Sequence, residues 1–369
     1  MFLGRDQPPP RAAADITVTN TKEPVSRPDP DKLVFGHHFS DHMLTIKHTT
    51  TKGWDKPVIE PIRDLSIHPA AKVLHYATEI FEGMKAYRGI DDKIRLFRPD
   101  LNMKRMLSSA ERSVLPTFDG SELLECIKKL IKVDIDWVPR SKSSTLYIRP
   151  CLIGTEVMSR VGAPTESLLF VLTGPVGPYF PTGFKPISLL ADPNYVRAFP
   201  GGVGEFKAGS NYGPTIYVGK VAAEHGCQQA LWLHGREHLI TEVGTMNVFT
   251  LLKNKKGEKE LVTAPLNGLI LPGVTRQSVL DLARTWSELV VSEREMSMHE
   301  LVEAYDQNRV LEMFGAGTAC IVCPIERIVY EGKNLNIPTM KNGAPLTTRF
   351  LNELTDIQVG ECYNCGIFM

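Results

Sequence analysis

Gly201-Gly-Val-Gly-Glu-Phe-Lys-Ala-Gly-Ser-Asn-Tyr212, followed further on by Thr241-Glu-Val-Gly-Thr-Met-Asn247, is the part of the chain from which the rest can be read. Glycines at 201, 202, 204 and 209 let the backbone turn sharply and approach a ligand where a side chain would intrude. Lys207 stands among them. A free lysine amine has a reference pKa of about 10.4, so it attacks a carbonyl only where burial or a neighbouring cation lowers that value. A lysine in such a seat is read as one that forms an imine with pyridoxal phosphate. The cofactor then needs a carboxylate at its pyridine nitrogen, because a protonated ring accepts electrons from a substrate carbanion, and Glu242 is the candidate. Lysine and carboxylate together point to transamination. Taken alone, a glycine-rich segment with a lysine also describes a solvated loop, so the reading needs support elsewhere.

Three features supply it. Leu271-Pro-Gly-Val-Thr-Arg276 leads into a segment in which Val279, Leu280, Leu282, Ala283 and Trp286 recur at helical spacing. The free amide hydrogens of Val274 and Thr275, with the positive end of the helix dipole behind them, suit a phosphate. Phe314-Gly-Ala-Gly-Thr-Ala319, after the apolar run from Val310, predicts a compact turn at a strand end with several N–H donors and the Thr318 hydroxyl. The third feature is the aromatic and arginine content of the N-terminal half, namely Phe35, Tyr76, Phe81, Arg105, Tyr147, Arg149 and Tyr179. Singly, each is as well explained by core or surface.

Together these residues resemble the branched-chain amino acid aminotransferases, the class IV pyridoxal-phosphate family that shares its fold type with D-amino acid aminotransferase and aminodeoxychorismate lyase. The signature runs as Glu242-x-Gly244-x-x-Asn247-Val-Phe249, then Leu261-x-Thr263, then Leu271-x-Gly273-Val274-x-Arg276. The likeness extends over Val34–Met43, Leu74–Tyr87, Leu96–Met106, Leu146–Pro150, Pro175–Phe180 and Ala198–Gly213, in effect from residue 30 to 360. It implies a mixed α/β fold of type IV with two mixed-sheet domains, like that of D-amino acid aminotransferase. It also implies that Lys207 carries pyridoxal 5'-phosphate and moves the substrate α-proton, that Tyr212 bonds the ring oxygen, and that Glu242 keeps the ring nitrogen protonated. Arg105, the amides of Val274 and Thr275, and Thr318 would take the phosphate. Thr245, with the turn at Thr318 and Ala319, would hold the substrate carboxylate. Phe35, Tyr76, Phe81, Tyr147 and Tyr179 would wall the aliphatic side chain, and Arg149 would meet the distal carboxylate of glutamate or 2-oxoglutarate. In the family Tyr76 and Arg149 reach the neighbouring subunit's site, which implies a homodimer. The implied activity is a ping-pong exchange of L-leucine, L-isoleucine or L-valine with 2-oxoglutarate.

Composition agrees. Lys plus Arg and Asp plus Glu number 42 each, so there is no net charge and no polyanion partner is expected; the one basic run, Lys253–Lys259, reads as a hairpin tip. The longest apolar stretches are of strand length, and no membrane partner is expected. At 369 residues the chain suits two domains. Residues 1–31 read as a mobile arm, 32–177 as a small α/β domain, 178–186 as a linker rich in Pro and Gly, and 187–369 as a large cofactor-binding domain. Ser121–Ile131 predicts an amphipathic helix capped by Asp119 or Ser121. Seven cysteines without a secretory signal point to a reducing compartment. Cys320 and Cys323 match a redox-sensitive pair in animal members of the family, with plain packing as the alternative. A second Cys-x-x-Cys, Cys362 and Cys365, makes a zinc site formally available, but the spacing between pairs argues for no metal. The tail from Val359 to Met369 lacks the aromatic ending usual in the family. The N-terminus, with an early aspartate and prolines, opposes a basic amphipathic presequence, so a cytoplasmic address is expected, with the mitochondrion as the alternative. The rivals are an enzyme of the same cofactor class acting on a D-amino acid or as a lyase, and a relative that has lost catalysis.

Overall fold

The computed structural model describes residues 13–141, 143–178 and 184–361. Tyr179, Cys362, Cys365 and the middle of the expected linker lie outside them. Among the described residues the chain forms two sheets of nine strands each. The first contains β1 (Thr17–Val18), β2 (His42–Thr49), β3 (Gly53–Trp54), β4 (Val58–Pro61), β5 (Glu79–Phe81), β6 (Met84–Arg88), β7 (Ile94–Leu96), β8 (Thr145–Gly154) and β9 (Glu166–Val176). Its main path is β1-β4-β2-β9-β8-β6-β7, antiparallel except between β1 and β4. The second contains β10 (Ile187–Ala191), β11 (Gln229–His234), β12 (Leu239–Val243), β13 (Met246–Lys253), β14 (Lys259–Thr263), β15 (Val290–Glu293), β16 (Val310–Gly317), β17 (Ile321–Tyr330) and β18 (Lys333–Asn336). It is mixed: β10 runs parallel to β11 and β17, β14 runs parallel to β15, and a β12–β13 pairing brings its path back onto itself.

Helices cover these sheets where the sequence puts an apolar stripe. In order they are α1 (Lys72–Tyr76), α2 (Pro99–Arg112), α3 (Gly120–Val133), α4 (Thr215–Glu224), α5 (Val274–Ala283), α6 (Met298–Asp306) and α7 (Pro345–Val359). In α3, Leu123, Cys126, Ile127, Leu130 and Ile131 recur every three or four residues and are buried in the core beneath the first sheet. The Asp119 carboxylate caps it, accepting from the Ser121 and Glu122 amides. The basic run is the hairpin tip expected, with Lys253 opposite Lys259 in the β13–β14 ladder. Helix α7 packs on β6 and β7 of the first sheet and on β16 and β17 of the second, so it ties the two layers together.

Two expectations are revised. The described part of the N-terminal segment, from Ala13 on, is attached: Thr17–Val18 adds a parallel strand beside β4, Ile16 is buried, the Ala13 amide donates to Glu122, and the Thr21 amide to His42. One apolar side chain and a row of strand-edge donors are enough to hold a segment with no periodicity of its own. The glycines of Phe314-Gly-Ala-Gly also belong to a strand, because β16 stays paired with β13 as far as Ala316 and with β17 as far as Gly317, and the turn is Thr318-Ala319-Cys320.

Candidate active site

Lys207 is placed by contacts made to its backbone. Its carbonyl accepts from the Phe81 amide at 3.0 Å, its own amide donates to Ser109 Oγ at 2.9 Å, and Ala208 bridges Ile80. The loop around it is closed from inside, where Asn211 Nδ2 donates to the carbonyls of Val203 at 2.7 Å and Phe206 at 2.8 Å. A loop of the second half of the chain is thereby stitched to β5 of the first sheet, and the space between the sheets becomes a cavity of about 420 Å3, within the range of roughly 300–1,000 Å3 usual for small-molecule sites.

Lys207 Nζ lies 3.3 Å from the Tyr212 hydroxyl and 4.5 Å from the centre of the Phe81 ring. Burial, and after it the nearby Arg105, lower its pKa to about 8, with Glu82 opposing. A useful share of neutral amine is therefore present near neutrality, which is what imine chemistry requires. Burial also pushes the Tyr212 phenol up to about 12, so it stays a neutral donor.

Most of the expected residues meet here. Phe35, Phe81, Arg105, Tyr147, Arg149, Lys207, Tyr212, Thr245, Val274, Thr275, Thr318, Ala319 and Cys320 all line this cavity. Tyr147 and Arg149 alternate along β8 and so share a face of the sheet. Arg149 Nη2 donates to the Tyr147 hydroxyl at 2.7 Å, and its guanidinium lies over the Phe81 ring at 4.7 Å. The Tyr147 hydroxyl presses on Gly83, where an added Cβ would overlap it. Arg149 thus lines the cavity of its own chain, on the face of β8 that it shares with Tyr147, whereas the resemblance placed it at a neighbour's site. Tyr76, at the end of α1, is 40% exposed and does not line the cavity.

Glu242 stands behind the wall at 2% exposure. Its Oε2 meets Arg197 Nε at 3.1 Å, and its Oε1 accepts from the Leu271 amide at 2.8 Å and Asn247 Nδ2 at 3.1 Å. Burial pushes its pKa up, against Arg197 and the Leu271 amide, which favour the ionised form. Asn247 is packed so closely on Gly273 that a Cβ there would strike its Oδ1. That contact sets the start of α5, whose first turn carries no side-chain cap and therefore presents unpaired amide hydrogens of Val274 and Thr275 to the cavity. Arg105 lies beside it, with Nε and Nη2 on Glu82 at 2.7 and 2.8 Å and Nη1 on the Pro272 carbonyl at 3.0 Å. Burial disfavours the Glu82 carboxylate, but Arg105, Lys207 and Asn102 outweigh it and hold its pKa below the ordinary value.

An amine of lowered pKa, a buried carboxylate behind the wall, an arginine and an uncapped helix N-terminus fit an aldehyde cofactor bearing a phosphate and a ring nitrogen. Residues 79–328 match the family described as amino-transferase class IV. The mouse cytosolic branched-chain-amino-acid aminotransferase is 56% identical over 94% of this chain and 90% of its own length. The chain belongs to the branched-chain amino acid aminotransferases of class IV. The bovine mitochondrial branched-chain-amino-acid aminotransferase is 54% identical over 94% of this chain and 89% of its own. The crystal structure of a branched-chain aminotransferase from Thermoproteus uzoniensis shares the fold, with a TM-score of 0.71 at 21% identity over 89% of this chain and 99% of that one. The chain is a pyridoxal-phosphate-dependent transaminase, with the mixed α/β architecture of fold type IV.

Sequence reasoning missed Glu82, Arg197 and Ser109. Glu82 sits within a segment that carries the family likeness, yet nothing local marks it as the partner of Arg105. Cys320 and Cys323 are both unlinked thiols. Burial raises the pKa of each, that of Cys320 to about 12 with Lys85 acting against it. Neither is a ready thiolate nucleophile at neutral pH.

Proposed function

We propose that this site carries out the reversible exchange of L-leucine, L-isoleucine or L-valine with 2-oxoglutarate, giving the branched-chain 2-oxo acids and L-glutamate. The bound cofactor supplies an electron-accepting ring next to an imine carbon. Lys207 Nζ would hold that group and, once released as a free amine, would take up and return the substrate's α-proton. The Tyr212 hydroxyl orients that amine. Three of the roughly four acceptor positions of the Glu242 carboxylate are filled by Arg197, Asn247 and Leu271. The one left over is suited to holding a proton on the cofactor's ring nitrogen. Arg105, Val274, Thr275 and Thr318 bind phosphate, while Thr245 and the turn at Ala319 take the substrate carboxylate. Phe35, Phe81 and Tyr147 exclude water from the aliphatic side chain, with Tyr179 outside the described residues assigned the same part.

The observation that carries the two-substrate reading is Arg149. Its guanidinium shares the aromatic wall, and among the described residues its buried Nε has no hydrogen-bond partner. A half-buried cation with an open, buried donor, set in the pocket for aliphatic groups, suits a second substrate with a distal carboxylate. The test is to supply L-leucine and 2-oxoglutarate to the holoenzyme and measure glutamate, with D-alanine as the contrasting donor; glutamate from D-alanine but not L-leucine would favour the rival class. Arg149→Met should raise KM for 2-oxoglutarate by roughly 10- to 100-fold, the worth of one charged hydrogen bond, and alter that for L-leucine much less. Equal effects on both would remove Arg149 from this role.

A homodimer is part of the same proposal. Leu74, Tyr76, Val157, Met158 and Val161 are exposed apolar residues near α1, where Ala71 bridges Val157 and the Met158 amide meets the Ala70 carbonyl. Apolar surface of that kind on one side of a domain suits burial against a second copy. Light scattering should return twice the single-chain 41.1 kDa, and Leu74→Asp with Val161→Asp should shift it to one. Among the described residues no helix is long and apolar enough to cross a membrane. Relatives named cytosolic and mitochondrial match almost equally well, and the cytoplasmic address remains our reading.

A further inference from the structure

The turn Thr318-Ala319-Cys320 separates the site just described from a neighbouring cavity of about 620 Å3, and Ala319 and Cys320 line both. Lys85, on β6, lines the second cavity and not the first. Its Nζ crosses from one sheet to the other and donates to the Ala319 carbonyl at 2.9 Å. The side chain is 7% exposed, and among the described residues no carboxylate pairs with it. Burial lowers its pKa to about 8, with Cys320 acting the other way. An ammonium kept in such a place without a counter-ion is costly, and a cost of that kind is tolerated where it serves a site.

The backbone it grips is itself unusual. Ile321, the residue after the turn, has φ 64°, a conformation that β-branched side chains rarely take and that persists only when the surroundings enforce it. Among the described residues no peptide bond is cis, and in a trans unit the carbonyl and the following amide hydrogen point in opposite directions. With the Ala319 carbonyl drawn toward Lys85, the Cys320 amide hydrogen points away from Lys85. Among the described residues, no backbone carbonyl accepts the amide hydrogens of Thr318, Ala319 or Cys320.

We propose that Lys85 is a positioning residue: from behind the turn it latches the Ala319 carbonyl and so aims the free amide donors of residues 318–320 at the α-carboxylate of the bound amino acid or 2-oxo acid. This rests on the reading of the turn as the carboxylate seat. It extends that reading to a cation that touches neither substrate nor cofactor.

The test compares 4-methylvaleric acid, which has the carboxylate and the leucine-like side chain but no reacting amine, with its neutral amide. Each is titrated into the holoenzyme and followed by the cofactor's absorbance. Lys85→Met should weaken binding of the acid about tenfold, of the order of one charge-assisted hydrogen bond, and leave binding of the amide and the cofactor spectrum as they were. In steady state the KM values for L-leucine and 2-oxoglutarate should rise together while kcat changes less. Lys85→Arg, which restores a charged donor, should recover part of the loss. If Lys85→Met does not retain cofactor, Lys85→Gln carries the same comparison with the charge alone removed. Equal affinity of wild type and variant for the acid overturns the role of Lys85 and leaves the carboxylate seat standing. Failure of the wild-type holoenzyme to distinguish acid from amide overturns both.

Discussion

Turnover should fall by roughly four orders of magnitude or more when Lys207 is replaced by alanine, because one side chain supplies both the covalent anchor and the proton carrier. The variant should lose the absorbance of covalently held cofactor, and borohydride should fix no label to it, whereas in the parent the reduced label should map to Lys207. A second consequence concerns stability. The folded-state value for Lys207 is about 8, against an unfolded value near 10.5. Between those limits the unfolded chain binds one proton more than the folded one at this residue, so its contribution to the derivative of unfolding free energy with pH is positive. Buried thiols and phenols whose values are raised, among them Cys320 and Tyr212, contribute with the opposite sign in the upper part of that range, so the parent is compared with the variant. The stability difference between cofactor-free parent and Lys207→Ala should therefore shift in favour of the parent as pH rises from about 8 to about 10.5. A difference that shifts the other way through this window would contradict the assigned burial.

Glu242→Gln should slow the exchange on the order of a hundredfold or more while leaving the cofactor attached, since an amide cannot hold a proton on a ring nitrogen as a carboxylate does. It also strands Arg197, whose side chain is 3% exposed, without its counter-charge. Leaving one member of a buried ion pair unpaired typically costs about 3–5 kcal/mol, so urea denaturation should register a loss of that order. The double variant Arg197→Met, Glu242→Gln separates the two effects. It should regain much of the stability and none of the rate. Recovery of the rate would show that Glu242 acts only as a structural partner of Arg197.

Features that depend on neighbours in the chain were legible in the sequence. The stripe of Leu123, Ile127, Leu130 and Ile131, with Asp119 before it, gives α3 its position and its cap. Gly273 ahead of the periodic run through Val279 and Leu282 marks the start of α5 and its unpaired amides. Lys207 stands out because glycines crowd around it and because Glu242 follows within the family's signature. The attachment of Ala13–Val18 was invisible, since its partners are β4, Glu122 and His42 and it has no pattern of its own. The glycines before Thr318 suggested a turn, but the ladders on both sides keep them in strand. Arg149 was legible as a carboxylate binder, and only the pleat of β8 shows that it faces its own chain's cavity.

From the linear chain alone came the kind of chemistry, through a lysine, a carboxylate and a helix start at recognisable spacings, together with the class of fold that such spacings accompany. What surrounds those groups came only from folding. Glu82 on Arg105, Arg197 on Glu242 and Lys85 on the Ala319 carbonyl join residues 23, 45 and 234 positions apart. Charge and hydrogen-bond energies depend on distances of a few ångströms and on how much water is excluded, and both are properties of packed sheets. A lysine reads the same in any string of letters. Its proton affinity is decided by what is folded around it.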